Sequence, residues 1–187
     1  AHGAPEAFAP WRPWLGDGDA DGFPYLRVRG PVAMVNLSSA RPTPLHLATG
    51  TLGREQVEAA RALLDQTRGR FRVVLVHHPV SRGVVSGRKS LTDADALRAA
   101  VADAGCELVL HGHAHEAVLS SLPGPAGPIP ALGVPSASTP LGRPHDQPAR
   151  WNEIEVTAEG GGFRARVTAH GLAPDRTVAT LGRFHLI

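Results

Sequence analysis

The sequence predicts an α/β fold, a layered β-sandwich with helices against it. Between residues 71 and 110 an apolar strand, a helix and a second apolar strand follow one another, which favours parallel strands joined by a helical crossover. After residue 116 short strands alternate with turns rich in Gly and Pro, which favours antiparallel hairpins. The 187 residues are 42% hydrophobic and only 5% aromatic, so one domain with an aliphatic core is expected.

The first half of the chain is predicted to hold three strands and one helix. Residues 1–23 are irregular in pattern and rich in Gly and Pro. Strands over 24–29 and 32–37 are expected to meet at a Gly-Pro turn. A stripe of apolar residues at helical spacing predicts a helix over 55–66, and the apolar run 71–76 predicts the third strand.

The second half is predicted to begin with a helix over 92–104 that stops at Gly105. The sequence Thr92-Asp93-Ala94-Asp95 resembles an N-terminal cap for that helix. The apolar run 108–110 predicts the next strand, and a run of three glycines predicts a hairpin turn between the last two strands. The remaining predicted strands are 117–122, 129–134, 151–156 and 163–168.

Composition excludes some classes of function. The formal net charge is +2 and Lys89 is the one lysine, so there is no strong sign of a nucleic-acid surface. No apolar stretch is long enough to span a bilayer, and no signal peptide is visible. We expect a cytoplasmic location. Cys106 is the single cysteine, so we expect a buried thiol, no internal disulfide and no thiolate metal site.

Two clusters of histidines stand where predicted strands end. His77-His78 follow the run 71–76, and His111, His113 and His115 follow the run 108–110. Two such strands side by side would bring several imidazoles to one sheet edge, which is how a metal site is built. Gly112 is expected to adopt a backbone angle that a larger residue could not, so that the histidines around it are aimed differently.

The order of these clusters resembles the C-terminal half of the calcineurin-like metallophosphoesterases. His77-His78-Pro79 stands where that family has HHP, and Gly112-His113-Ala114-His115 where it has GHxH. Similar flanks are the segment 50–53 with Gln56, and the segment 134–138. The two motifs in this order carry the resemblance together, because short histidine motifs alone are common by chance.

The resemblance implies a fold of two packed sheets flanked by helices, and a centre of two divalent metal ions, Mn, Fe or Zn. His77 and His113 would bind the second metal, and His115 the first. The implied reaction is hydrolysis of phosphate mono- or diesters by a hydroxide that bridges the two metals. The substrate would be a small phosphate ester or a nucleotide, chosen by loops such as 79–90 and 139–150.

The family's N-terminal motifs, D-x-H, G-D-x-x-D and G-N-H-D/E, do not occur in this sequence. Asp17, Asp19 and Asp21 have no preceding strand, and Glu116 is the one carboxylate next to a histidine cluster. We therefore expect a partial domain, residues 1–187, in which the bridging Asp, the Asn ligand and the general-acid His come from a missing N-terminal half. The partner sheet would be mostly absent, so a broad apolar face of the remaining sheet would lie open.

His78 and His111 lie next to the predicted ligands, and their roles stay open. His78 and His111 could contact the substrate phosphate, or could support the metal ligands from behind or serve the fold. Arg82 and Arg88, in the loop after His78, could meet a phosphate, although solvated side chains are the simpler interpretation.

Three functions therefore remain open. The chain belongs to a dinuclear phosphoesterase, or it is a non-catalytic, degenerate half-domain that binds only a metal or a partner. The third alternative is a module that binds a single metal ion through histidines.

Overall fold

Nine strands and two α-helices are present in residues 22–141 and 146–187, which a computed structural model describes. No helix among these residues is both long and apolar enough to cross a membrane. The strands are β1 (Tyr25–Arg29), β2 (Val32–Asn36), β3 (Phe71–Leu75), β4 (Leu108–His111), β5 (Val118–Leu122), β6 (Ile129–Gly133), β7 (Arg150–Glu159), β8 (Gly162–Leu172) and β9 (Val178–His185). The helices are α1 (Arg54–Gln66) and α2 (Ala94–Ala104), with a short 3₁₀ helix at Gly87–Lys89.

The first six strands form one mixed sheet in the order β1-β2-β3-β4-β6-β5. The four central strands are parallel, and β1 and β5 pair antiparallel with their neighbours at the two edges. Helix α1 connects β2 to β3 and α2 connects β3 to β4, so the predicted crossover between residues 71 and 110 is confirmed. The mixed sheet and its helices confirm the predicted α/β class. Strands β7, β8 and β9 form a second sheet, which is antiparallel.

Both helices pack on one face of the six-stranded sheet. On the sheet side this core contains Val35, Val74 and Val109, each fully buried. The helices contribute the apolar stripe that their sequence pattern predicts. The buried helical residues are Val57, Ala60, Leu64, Leu97, Ala100, Val101 and Ala104.

The three-stranded sheet covers the opposite face. Phe71 of β3 and Leu108 of β4 are buried against Ala165 and Val167 of β8. Phe71 also meets Phe163 edge to face, with ring centroids 5.8 Å apart. The expectation of a broad open apolar face is therefore wrong for the described residues, because the C-terminal strands supply a cover that the sequence pattern did not reveal.

The C-terminal strands differ most from the sequence prediction. Strands β7 and β8 are longer than expected, and β9 is a strand that the sequence analysis missed. Most side chains of β9 are exposed, so the strand lacks the alternation of apolar and polar residues that marks a half-buried strand. Backbone pairing with β8 holds it in place, and that pairing leaves little trace in side-chain pattern.

The predicted cap of the second helix is wrong. Helix α2 begins at Ala94, and its capping residue Asp93 makes no side-chain bond to its own helix. The Asp93 carboxylate instead accepts hydrogen bonds from the backbone amides of Leu52, at 2.9 Å, and Gly53, at 2.8 Å. These amides lie at the start of α1, where backbone donors lack partners within the helix. One carboxylate therefore joins the N-terminal ends of both helices.

The single cysteine is buried, as predicted. Cys106 is 5% exposed, and burial raises the pKa of its thiol to about 12. The side chain is therefore a neutral thiol at physiological pH and acts as a small core residue.

Replacing Phe71 with Ala should lower the free energy of unfolding by about 3–5 kcal/mol, because it removes the largest fully buried side chain, which lies at the interface between the two sheets. Val178→Ala, at a side chain that is 60% exposed, should change stability by no more than ~0.5 kcal/mol. Urea unfolding of both variants provides the comparison. A Phe71→Ala effect as small as that of Val178→Ala would mean that the three-stranded sheet does not cover β3.

Candidate metal centre

The parallel pairing of β3 and β4 brings the two histidine clusters to one edge of the six-stranded sheet. Leu75 lies opposite Leu110 at the carboxyl ends of the two strands. The pairing continues past both ends, since the amide of Gly112 donates to the carbonyl of His77 at 3.0 Å. His77 and His113 are 36 residues apart in sequence, and this backbone hydrogen bond brings them side by side at the sheet edge.

His77 and His113 are joined through their ring nitrogens. His113 Nδ1 and His77 Nε2 lie 3.1 Å apart, and the ring centroids lie 4.9 Å apart. One nitrogen donates its proton and the other accepts it. Two nitrogens bound to one tetrahedral zinc ion would lie roughly 3.3 Å apart, nearly the same distance. The spacing of the two nitrogens is therefore compatible with a shared metal once the proton between them has left.

His78 is the third imidazole of this group, and both of its nitrogens are occupied by the protein. Its ring centroid lies 4.2 Å from that of His113. Nε2 donates to the carbonyl of Ala48 at 3.0 Å, and Nδ1 accepts from the hydroxyl of Ser39 at 2.7 Å. With 6% of the residue exposed, this arrangement favours a role in positioning the neighbouring imidazoles over contact with substrate.

His111 lies deeper and makes no hydrogen bond to another histidine among the described residues. It is 5% exposed, and its Nδ1 donates to the carbonyl of Gly112 at 3.2 Å. The ring packs on Gly133 so closely that a Cβ there would lie 2.4 Å from Cε1 of His111. Its Nε2 is buried and has no hydrogen-bond partner among the described residues.

His115 is paired with a carboxylate that the sequence analysis missed. Its Nδ1 lies 2.9 Å from Oδ1 of Asp146, and the side chains are 48% and 17% exposed, respectively. Asp146 lies 31 residues further along the chain, with no motif around it. The loop 139–150, predicted to influence substrate choice, is the one sequence feature that points toward this residue.

The backbone strain predicted at Gly112 lies at the histidines instead. His113 has a φ of 66° and His115 a φ of 59°, both in the left-handed region, whereas Gly112 does not. A Cβ on Gly112 would make only an ordinary contact, 3.7 Å from His77 Nδ1. The expectation for Gly112 is therefore wrong. Left-handed residues other than Gly cost about 1–3 kcal/mol and often occur at functional sites.

Desolvation favours the neutral form of the imidazoles of His77, His78, His111 and His113. It is the largest cause that lowers the pKa values of His77, His78 and His111, and it lowers the pKa of His113 to about 4. Neighbouring imidazoles lower the pKa values of His77 and His113 further, because protonated rings would repel each other. The neutral ring is the form that binds metals.

Among the described residues, the histidine cluster is not a complete set of metal ligands. No group of three or more His, Cys, Asp or Glu side chains in residues 22–141 and 146–187 stands close enough to hold a metal ion. Buried His113 Nε2 also has no hydrogen-bond partner there, so this cluster has unused capacity for a ligand. Asp17, Asp19 and Asp21 lie outside the described residues.

Arg82, in the loop after the first histidine cluster, has a solvent-exposed side chain. Its guanidinium lies 2.9 Å from the carboxylate of Asp95, and its side chain is 81% exposed. This geometry favours a solvated ion pair over a phosphate contact.

Comparisons with known proteins do not assign a family. No protein-family model matches this chain, and no curated protein matches it. The resemblance to metallophosphoesterases therefore rests on the HHP and GHxH motifs.

Gly50→Ala should destabilise the chain by about 1–3 kcal/mol, because the new Cβ would lie 2.5 Å from His78 Nδ1 and 2.8 Å from the carbonyl oxygen of Ser39. Gly87→Ala is the matched control, since nothing lies within 4 Å of a Cβ there. Thermal or urea unfolding measures both. Equal stability of the two variants would show that His78 is not held against Gly50.

Acidification should destabilise the metal-free chain between about pH 6.5 and pH 4. The unfolded histidines titrate near pH ~6.5, whereas the folded ones have lower pKa values, about 4 for His113. The unfolded chain therefore binds more protons in this window, so stability is full above it and falls as the pH drops.

Urea unfolding at several pH values, with a chelator present, measures this slope. His113→Asn should make the slope shallower by up to ~1 proton, since Asn cannot titrate and tolerates the left-handed region. An unchanged slope in that variant would contradict the lowered pKa of His113.

Proposed function

We propose that this chain supplies the histidine part of the metal centre of a phosphoesterase. The observation that supports the proposal best is the pair of facing nitrogens, His113 Nδ1 and His77 Nε2, 3.1 Å apart at the carboxyl ends of two parallel strands. Ligands commonly bind at this edge of open α/β sheets. Lowered pKa values add support, because they leave these rings neutral at physiological pH.

Each residue has a separate part in the proposal. His77 and His113 would hold the second metal, and His115, on the neighbouring turn, would hold the first. His78 supports the pair through its bonds to Ser39 and Ala48. Divalent metals, when bound, supply Lewis-acid polarisation of a phosphoryl group and a more acidic water molecule.

The proposal also extends to the fold, the substrate and the location. The two sheets with helices on one outer face are compatible with a metallophosphoesterase sandwich, and carboxylate ligands would come from another segment or another chain. A small phosphate ester or a nucleotide in the cytoplasm would be the substrate. The fold matches the proposal only in its class and layers.

The second candidate is a non-catalytic half-domain. It is favoured by the lack of three grouped metal-binding side chains in the described residues, and by the lack of the D-x-H, G-D-x-x-D and G-N-H-D/E motifs in the sequence. Such a chain would bind one metal ion or a partner and would not turn over a phosphate ester.

Metal binding and turnover separate these candidates. The dialysed chain should bind Mn²⁺ or Zn²⁺ in calorimetry, and His113→Asn should weaken that binding by more than ~100-fold, beyond the loss typical of outer-shell changes. His185→Asn, on an exposed histidine of β9, is the matched control and should bind as the parent chain does. Unchanged binding in both His77→Asn and His113→Asn would sink the proposal.

Turnover of an aryl phosphodiester with added metal would favour the phosphoesterase. Binding of a single ion without turnover would favour the half-domain. Loss of turnover in His113→Asn and in His115→Asn, with His185→Asn active, would place the reaction at this cluster.

A further inference from the structure

The turn that carries His115 is fastened to a distant segment by three hydrogen bonds. Oδ1 of Asp146 lies 2.9 Å from Nδ1 of His115. The amide of Gln147 donates to the carbonyl of His115 at 3.2 Å, and the side-chain oxygen of Gln147 accepts from the amide of Ala117 at 3.0 Å. Two consecutive residues thus hold both the ring and the backbone of one histidine.

The carboxylate determines which nitrogen of His115 carries the proton. An ionised carboxylate only accepts hydrogen bonds, so Nδ1 must be the donor. The neutral ring then has its lone pair on Nε2. Asp146 is 17% exposed and His115 is 48% exposed, so the carboxylate is the more buried partner and the imidazole the more accessible one.

The hydrogen bond from the Gln147 amide to the carbonyl of His115 stabilises a strained backbone conformation of His115. His115 has a φ of 59°, which costs free energy for a residue other than Gly. The Gln147 amide binds the carbonyl of His115 in that conformation. Ring orientation and backbone conformation are therefore both set by residues 146 and 147.

We propose that Asp146 is a positioning residue that holds His115 as the Nδ1–H tautomer, which puts the lone pair of the ring on Nε2, where it would bind a divalent metal. This inference rests on the proposed function, because a metal is what that nitrogen would bind. A carboxylate behind a metal-binding imidazole fixes the ring and strengthens it as a ligand, typically by about 10–100-fold in metal affinity. No motif in the sequence identifies Asp146 for this role.

Nitrogen-15 NMR tests the tautomer without any metal. Long-range ¹H–¹⁵N spectra of the chain in chelator should show His115 with its proton on Nδ1. In Asp146→Asn the amide can donate to Nδ1 instead, so a substantial population with the proton on Nε2 should appear. Asp65→Asn, which makes the same chemical change at the C-terminal end of α1, should leave the spectrum of His115 unchanged.

Metal affinity tests the consequence. Asp146→Asn should weaken Zn²⁺ binding by about 10–100-fold, and it should add no further loss in a His115→Asn background. Backbone amide spectra confirm that the variants are folded. The spectrum of the unsubstituted chain tests the tautomer whatever the stability of the variants.

The outcomes are distinct. A parent chain with His115 protonated on Nε2 overturns the inference, and so does full Zn²⁺ affinity in Asp146→Asn when His115→Asn has lost affinity. The expected tautomer in a chain that binds no metal overturns the proposed function, while Asp146 is still supported as the residue that positions His115.

Discussion

The parallel pairing of β3 with β4 is the constraint on which the rest of the candidate site depends. Each strand is a short apolar run buried between the helices and the three-stranded sheet, so its register is fixed by packing on both faces. Because the strands run in the same direction, the residues that follow them emerge at one edge. The amide of Gly112 then bonds the carbonyl of His77 and fixes the two histidine clusters relative to each other.

Placing several imidazoles at a partly buried edge costs folding free energy, because their polar nitrogens lose contact with water. The surrounding residues provide hydrogen bonds to some of these nitrogens and not to others. Ser39 and Ala48 satisfy both nitrogens of His78, and a glycine at position 50 leaves room for the ring. The buried Nε2 atoms of His111 and His113 have no such partner within the described residues. Unpaired buried polar atoms are rare in folded proteins, and each calls for an explanation such as local strain, an ordered water molecule, an ion or a catalytic role. These two nitrogens are therefore the positions at this edge where an ordered water molecule or another ligand would have a hydrogen-bonding partner to satisfy.

Sequence reasoning succeeded where the signal is local and failed where it is not. Apolar runs that end in histidines predicted β3, β4 and the shared edge, because strand burial and strand direction follow from pattern and connection length. The start of α2, the strand β9 and the partner of His115 were missed. Asp93 bonds amides about 40 residues away, and Asp146 bonds a histidine 31 residues away. Such contacts depend on tertiary packing, and no spacing rule in the sequence encodes them.

The neutral charge of the histidine rings indicates which further ligands a metal centre at this edge would need. Burial lowers the pKa values of His77 and His113, so these two rings are neutral at physiological pH, and a divalent cation bound to them alone would keep its full charge in a partly buried place. Metal centres that hold two cations balance that charge with carboxylates. Among the described residues, Asp146 is the one carboxylate bonded to a histidine of the edge. It contacts Nδ1 of His115, so the imidazole ring would separate it from a metal on Nε2. A second cation at this edge therefore requires carboxylates from beyond these two strands.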